Sequence, residues 1–205
     1  MQIIEQKKAR ALDERALRTL FLEARTARAF LAHPVPHELL KKILDATELG
    51  PTSANGSPMR VVFVESREAK ERLRPALSAG NVEKTMHAPV TAIIAMDLVF
   101  YEHLPRLYPH GDMRSSFLGE DKVEYTRRSV MINASLQGAY FMLAARAFGL
   151  DVGPMIGFDS AKVDREFFAG SNWESLWLVN LGYGDDTKLH PRDPRLTFEE
   201  VAKIL

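Results

Sequence analysis

Apolar positions near the start of the chain recur at helical spacing: Leu17, Leu20 and Phe21 predict a helix over Asp13 to Ala24. Leu39, Leu40, Ile43 and Leu44 form the buried stripe of a second helix, Pro36 to Glu48, which Gly50-Pro51 stops. The pattern then changes. Val61 to Val64 reads as a buried strand, and Ser66 caps a helix from Arg67 to about Leu77. A polar turn is expected at Gly80-Asn81, and Pro89 introduces a second buried strand, Val90 to Met96. Residues 97–123 show no period and hold aromatics, prolines and histidines, as functional inserts often do.

Tyr125 to Phe148 predicts one long helix, apolar on most sides and ended by Gly149, which suits a core or a subunit seam. A loop at Gly153-Pro154-Met155-Ile156-Gly157 leads to a short helix near Ser160, and Leu176 to Leu181 is the third strong strand. After a polar tail, Thr197 and Glu200 form a capping-box pattern ahead of a last helix. Helices and strands mix without a strand–helix–strand rhythm, so the fold class is α+β rather than doubly wound. No internal repeat is present, and residues 1–205 are expected to form one domain.

Composition removes several function classes. Lys plus Arg and Asp plus Glu are 27 each, which disfavours nucleic acid as a partner. The absence of cysteine excludes disulfides, thiol nucleophiles, thiolate metal sites and iron–sulfur clusters. The charged, amphipathic residues 1–21 hold no apolar signal core, and Asn133, Gln137 and Arg146 interrupt the longest apolar stretch, so a cytoplasmic protein without a membrane partner is expected. Phosphate-loop, dinucleotide and nucleophile-elbow motifs are missing. His103, His110 and Asp112 fit no helical ligand spacing, so no metal site is assigned. What remains is a loop of hydroxyls and an amide, Thr52-Ser53-Ala54-Asn55, and scattered cations at Arg25, Arg28, Lys84, Arg192 and Arg195.

The order of these pieces resembles the nitroreductase superfamily of FMN enzymes. Arg25-Thr26-Ala27-Arg28-Ala29-Phe30 resembles its opening segment, and Gly50 to Pro58 its polar loop before a strand. Asn81 with Lys84 is similar to the next flavin-contacting pair, Gly149 to Phe158 to a further loop, and Leu181-Gly182-Tyr183-Gly184 with Arg195 to the closing strand and phosphate-binding arginine. Within the superfamily, residues 50–55, 70–78, 88–93, 109–112, 181–185 and 194–200 resemble the malonic semialdehyde reductase group of uracil utilisation. Two departures stand out. Ser57 and Met59 replace a common Gln and Trp, and Ile156 stands where many relatives carry Glu.

The resemblance implies a three-layer fold with a central mixed, mainly antiparallel sheet and a long buried helix at a homodimer interface. It implies FMN held between subunits, with NADH or NADPH as donor and ping-pong turnover. One subunit would supply Arg25, Thr26, Arg28, Asn81, Lys84, Pro154, Met155, Ile156, Gly157 and Arg195, helped by Arg192; the other would supply Pro51, Thr52, Ser53 and Asn55. Backbone N–H groups of Ile156 or Gly157 would orient flavin N5, and Lys84 and Arg28 would stabilise reduced-flavin charge. Residues 97–123 would form a lid, with Arg60, His110 and Arg114 as substrate-side candidates. The expected reaction is reduction of malonic semialdehyde to 3-hydroxypropionate. Alternatives are a broad nitroaromatic or quinone reductase, a flavin-binding dimer that does not turn over, and a dimeric scaffold without cofactor.

Overall fold

The computed structural model describes residues 11–205; the first ten, part of the charged N-terminal stretch, lie outside the described residues. The chain opens with α1 (Glu14–Leu17), where the Asp13 carboxylate accepts from Ala16 N at 2.7 Å. A regular helix was expected as far as Ala24. Instead the chain widens into a π-helical turn over Arg18–Leu22, closed by Glu23 N on Arg18 O at 2.9 Å. Neither piece buries a residue, so tertiary packing does not enforce the regular pitch.

The elements that follow are α2 (His37–Thr47), β1 (Met59–Val64), α3 (Arg67–Leu73), α4 (Ala79–His87) and β2 (Val90–Asp97). Short turns and α5 (Leu104–Leu107) lead to the long α6 (Val123–Ala147), then β3 (Asp151–Met155), α7 (Ser160–Phe167), β4 (Trp173–Gly182) and α8 (Phe198–Val201). The expected caps form. Ser66 Oγ accepts from Ala69 N at 3.1 Å, and Thr197 N donates to Glu200 Oε2 at 2.8 Å.

The strands make a four-stranded sheet in the order β1-β2-β4-β3, and each neighbouring pair is antiparallel. Its one parallel pairing among the described residues is the Thr26–Val152 bridge, which lays the 25–28 segment along the outside of β3. Both sheet faces are covered. Val90, Ala92, Ile94, Val179 and Leu181 pack with Ile43 of α2 and with Val130, Ala134 and Phe141 of α6. On the other face, Ile93, Ala95 and Leu178 pack with Leu73 of α3 and Val163 of α7. This two-sided burial explains why Val90 to Met96 reads as an unbroken apolar run rather than an alternating one.

Three expectations change. Gly80-Asn81 is not a turn but the first turn of α4, which Ser78 precedes in extended conformation. Gly153-Pro154-Met155 belongs to β3; as a strand with one neighbour in the sheet, β3 tolerates a proline that donates no hydrogen bond. Nor is α6 buried on every side: Met131, Ile132, Leu136 and Tyr140 remain 41–49% exposed along its outer face. On its inner face, a Cβ at Gly138 would lie 2.3 Å from Trp177 Cζ2, so the helix rides directly on β4 there. Residues 97–122 are irregular but anchored, because Phe100, Leu104 and Phe117 are buried and the Phe100 and Phe117 rings meet edge-on at 5.0 Å.

Candidate active site

The segment Arg25 to Phe30 is fixed by its backbone. Ala27 N donates to Val152 O at 2.9 Å, and Leu31 N to Tyr183 O at 2.8 Å. Gly153 allows this close approach, since a Cβ there would meet Ala27 O at 2.6 Å. The 189–195 tail then folds back across the segment. Arg25 donates to the His190 carbonyl, and Arg192 Nη2 donates to Leu22 O at 2.8 Å and Ala24 O at 3.1 Å. Between tail and segment lies a cavity of about 430 Å³ walled by Arg25, Thr26, Arg28, Arg146, Arg192 and Arg195.

A second cavity, of about 590 Å³, shares Arg28 and His190 with the first and adds Lys84, His87, Lys188 and Glu83. Burial, reinforced by the Arg28 guanidinium, holds Lys84 below the ordinary lysine range. Arg146 is also pushed down, by burial first and by Arg192, with Asp151 opposing. Arg25, Arg28, Lys84, Arg146, Arg192 and Arg195 make no ion pair with a carboxylate among the described residues. Cations that outnumber the carboxylates lining these cavities, Asp193 and Glu83, create a field that an anion relieves.

The same corner holds two further groups from the sequence reading. Asn81 Nδ2 donates to Gly157 O at 2.7 Å, and Ser78 N donates to the same oxygen at 3.1 Å. Gly157 is required by this contact, because a Cβ there would lie 2.6 Å from Asn81 Nδ2. The Ile156 and Gly157 amides donate to no group among the described residues, and the Ile156 side chain is 83% exposed. An apolar side chain, two amides without an acceptor among the described residues and a cleft cation are thus linked through α4, which lines the second cavity with Lys84 and binds Gly157 O through Asn81. That set suits a flat, polar-edged ring carrying a phosphate.

The remaining candidates lie elsewhere. Pro51 to Asn55 precede β1, at the opposite edge of the sheet from the 25–28 segment. Four strand spacings separate these two edges, about 19 Å. Met59 also pairs at the Met96 end of β2, whereas Val152 aligns through Leu181 with Val90 at the other end. The two groups thus occupy diagonal corners of one chain. The loop is tightly set: Ser53 N donates to Asn133 Oδ1 at 2.7 Å, and Asn55 Nδ2 to Leu107 O at 2.9 Å. Ala54, Asn55 and Ser57 have φ of 50°, 54° and 39°, a left-handed region that non-glycine residues rarely hold without external support.

The three substrate-side residues also stand apart from the cation cleft. Arg60 is bonded to Asp97 at 2.7 Å and to the Ser57 and Met59 carbonyls at 2.9 and 2.8 Å. Arg114 makes a two-pronged pair with Glu102 at 2.8 and 2.7 Å, and His110 lies edge-on to Tyr108. In the cleft, Arg146, Lys188 and His190 were not singled out from the sequence. Arg146 did carry a signal, as the one charged residue in the 130–147 stretch of α6.

Comparison with known proteins agrees with this fold. The model of the nitroreductase family matches residues 22–183, and the chain belongs to that family. It is 58% identical over 193 residues to a Burkholderia lata protein provisionally named NADH dehydrogenase/NAD(P)H nitroreductase, covering 94% of this chain and 98% of that one. A Bacillus subtilis crystal structure, provisionally described as a nitroreductase, superposes with a TM-score of 0.81 at 26% identity, covering 94% and 100%. A family member from Exiguobacterium sibiricum, solved in complex with FMN, gives a TM-score of 0.78 at 20% identity, covering 95% and 98%. The α+β, sheet-centred architecture is thus the nitroreductase fold.

Proposed function

We propose that this chain is a single-domain FMN-dependent NAD(P)H oxidoreductase that works as a homodimer. The observation that carries the reading is the cleft of Arg25, Arg28, Lys84, Arg192 and Arg195, which form no ion pair among the described residues and which α4 links, through Asn81, to the 156–157 turn. Arg25 and Arg195, with Arg192 behind them, would hold the phosphate dianion through charge-assisted hydrogen bonds. Thr26 and Asn81 would add neutral polar contacts, while Arg28 and Lys84 would meet the ring edge where reduction places negative charge. Pro154 and Met155 would brace the turn that presents the Ile156 and Gly157 amides. FMN, when bound, supplies hydride acceptance from NAD(P)H and hydride delivery to the acceptor.

The diagonal placement of the 51–55 loop supports pairing. A second copy can bring Pro51, Thr52, Ser53 and Asn55 of the partner subunit to a cleft that the chain's own loop cannot reach. The exposed apolar stripe Ile132, Leu136 and Tyr140, spaced four residues apart on α6, gives such a pair a hydrophobic seam. Residues 97–123 act in this reading as the acceptor-side cover, and the reading places the protein in the cytoplasm. Among the described residues no helix is long and apolar enough to cross a membrane.

We take malonic semialdehyde as the acceptor, reduced to 3-hydroxypropionate. Its carboxylate calls for a cation. Arg114 is the better of the two arginine candidates, because its pair with Glu102 is exposed and exchanges at little cost, whereas Arg60 is tied to the buried Asp97. His110 remains a candidate to polarise the carbonyl. A broad nitroaromatic reductase is the second reading, favoured by the printed names of the relatives.

The purified protein should show a flavin spectrum, alone or after added FMN, that bleaches anaerobically with NADH or NADPH. A protein that stays colourless with FMN sinks the cofactor reading; bound flavin that never bleaches leaves a binding module. Parallel double-reciprocal plots are expected for donor against acceptor. Turnover of a nitroaromatic without turnover of the semialdehyde would select the second reading.

A further inference from the structure

Helix α4 carries Asn81 and Lys84, yet only one of its residues is buried, and that residue is a threonine. Thr85 is fully buried, as is Thr91 of β2, and Asn180 of β4 is 1% exposed. These side chains form a chain of hydrogen bonds. Thr91 Oγ1 donates to Asn180 Oδ1 at 2.8 Å, and Asn180 Nδ2 donates to Thr85 Oγ1 at 3.3 Å. Thr85 Oγ1 in turn points its proton at Met155 Sδ, 3.6 Å away. The backbone of the same helix turn is held as well: Lys70 of α3, 4% exposed, donates its ammonium to Thr85 O at 2.7 Å and to Ala88 O.

Asn81 and Thr85 are four residues apart, so they lie one above the other on a single helix face. That face meets the end of β3 and the turn after it at two rungs. Asn81 bonds to Gly157 O, and Thr85 contacts Met155. Between the rungs lie the Ile156 and Gly157 amides, which donate to no group among the described residues. Apolar side chains of similar shape would fill the same volume without desolvating a hydroxyl and an amide, so packing alone does not call for these polar groups. A directional bond sets rotation and register, which apolar contact does not.

We propose that Thr85, bonded to Asn180, is a positioning residue that fixes the rotation of α4 and so holds Asn81, Lys84 and the 156–157 amides in one frame. The proposal deepens the flavin reading and rests on it for its functional consequence; the mechanical coupling stands on the contacts themselves.

Two substitutions separate register from packing. Thr85→Val keeps the shape and removes the hydroxyl, whereas Thr85→Ser keeps the hydroxyl and removes a methyl. Hydrogen–deuterium exchange on the protein without cofactor should quicken about tenfold in Thr85→Val, both in 79–87 and at the bonded amides that tie the turn to the segment before α4, Ser78 N on Gly157 O and Asp159 N on Ala76 O, the scale of one lost buried hydrogen bond. In Thr85→Ser the Ser78 and Asp159 amides should keep the wild-type rate. FMN affinity, measured by fluorescence titration, should fall about tenfold in Thr85→Val and less than twofold in Thr85→Ser. Unchanged exchange at Ser78 and Asp159 in Thr85→Val would overturn the proposal, as would equal losses in both variants that track thermal stability. Failure of the wild type to bind FMN would sink the cofactor reading alone, because the exchange data judge the coupling separately.

Discussion

Arginines occupy two electrical settings in this molecule. On the β1 side, Arg60 faces Asp97 and Arg114 faces Glu102, each at 2.7 Å. Beyond β3, Arg25, Arg28, Arg192 and Arg195 are steered by backbone carbonyls or by one another, and none pairs with a carboxylate among the described residues. Arg60, matched against a buried carboxylate, holds the fold together, while the exposed Arg114 pair contributes little, and unmatched arginines beside one another favour an anion. Residue type does not distinguish the two cases; the neighbours do.

The largest effect should come from breaking the unmatched group. Arg25→Ala with Arg195→Ala should weaken FMN binding about a hundredfold or more, given roughly 1.5–3 kcal/mol per charge-assisted bond. Binding of riboflavin, which lacks the phosphate, should change little in a parallel titration. If both ligands weakened alike, these arginines would be holding the fold and the contrast would vanish.

Breaking the matched group should do the reverse. Arg60→Met leaves Asp97, whose side chain is 6% exposed, without its countercharge. About 3 kcal/mol of stability should be lost in urea denaturation, with FMN affinity per folded molecule kept.

Lys70 gives a smaller, pH-dependent effect. Burial lowers its pKa from 10.5 to about 8 in the folded protein. Between those values the unfolded chain holds the proton that the folded one has released, so stability should rise as pH climbs from about 8 towards 10.5. Thermal denaturation across that window should show the rise, and Lys70→Met should flatten it. A wild-type profile that falls throughout would show the two carbonyls outweighing burial. Smallest of all, Arg114→Ala removes an exposed pair and should shift stability by less than about 1 kcal/mol.

The sequence was most readable where one local force decides the outcome. The stripe of α2, the Ser66 and Thr197 caps and the buried run of β2 each depend on near neighbours, and each formed close to its expected place. It was less readable where distant segments decide. Gly80 and Asn81 look like turn residues, but the Thr85 anchor and the Lys70 clamp, both long-range in origin, support a helix there. Gly153 and Pro154 read as a loop until β4 supplies a pairing partner. For the site, the motifs named most of the cations, yet that they form no ion pair among the described residues became visible only in three dimensions. Arg146 stayed hidden because nothing in its own helix reveals that the 189–195 tail folds back over it.

The missing side chain at Gly138 reaches further than its own turn of α6. Glycine at mid-helix sacrifices roughly 1 kcal/mol of intrinsic propensity, and here it gives the clearance that seats the helix on Trp177. A single methyl would act as a wedge beneath a 25-residue rod, lifting its outer stripe and tilting both ends. One of those ends carries Arg146, so the thickness of this contact is a mechanical setting shared by the outer face of the helix and the wall of the arginine-lined cleft.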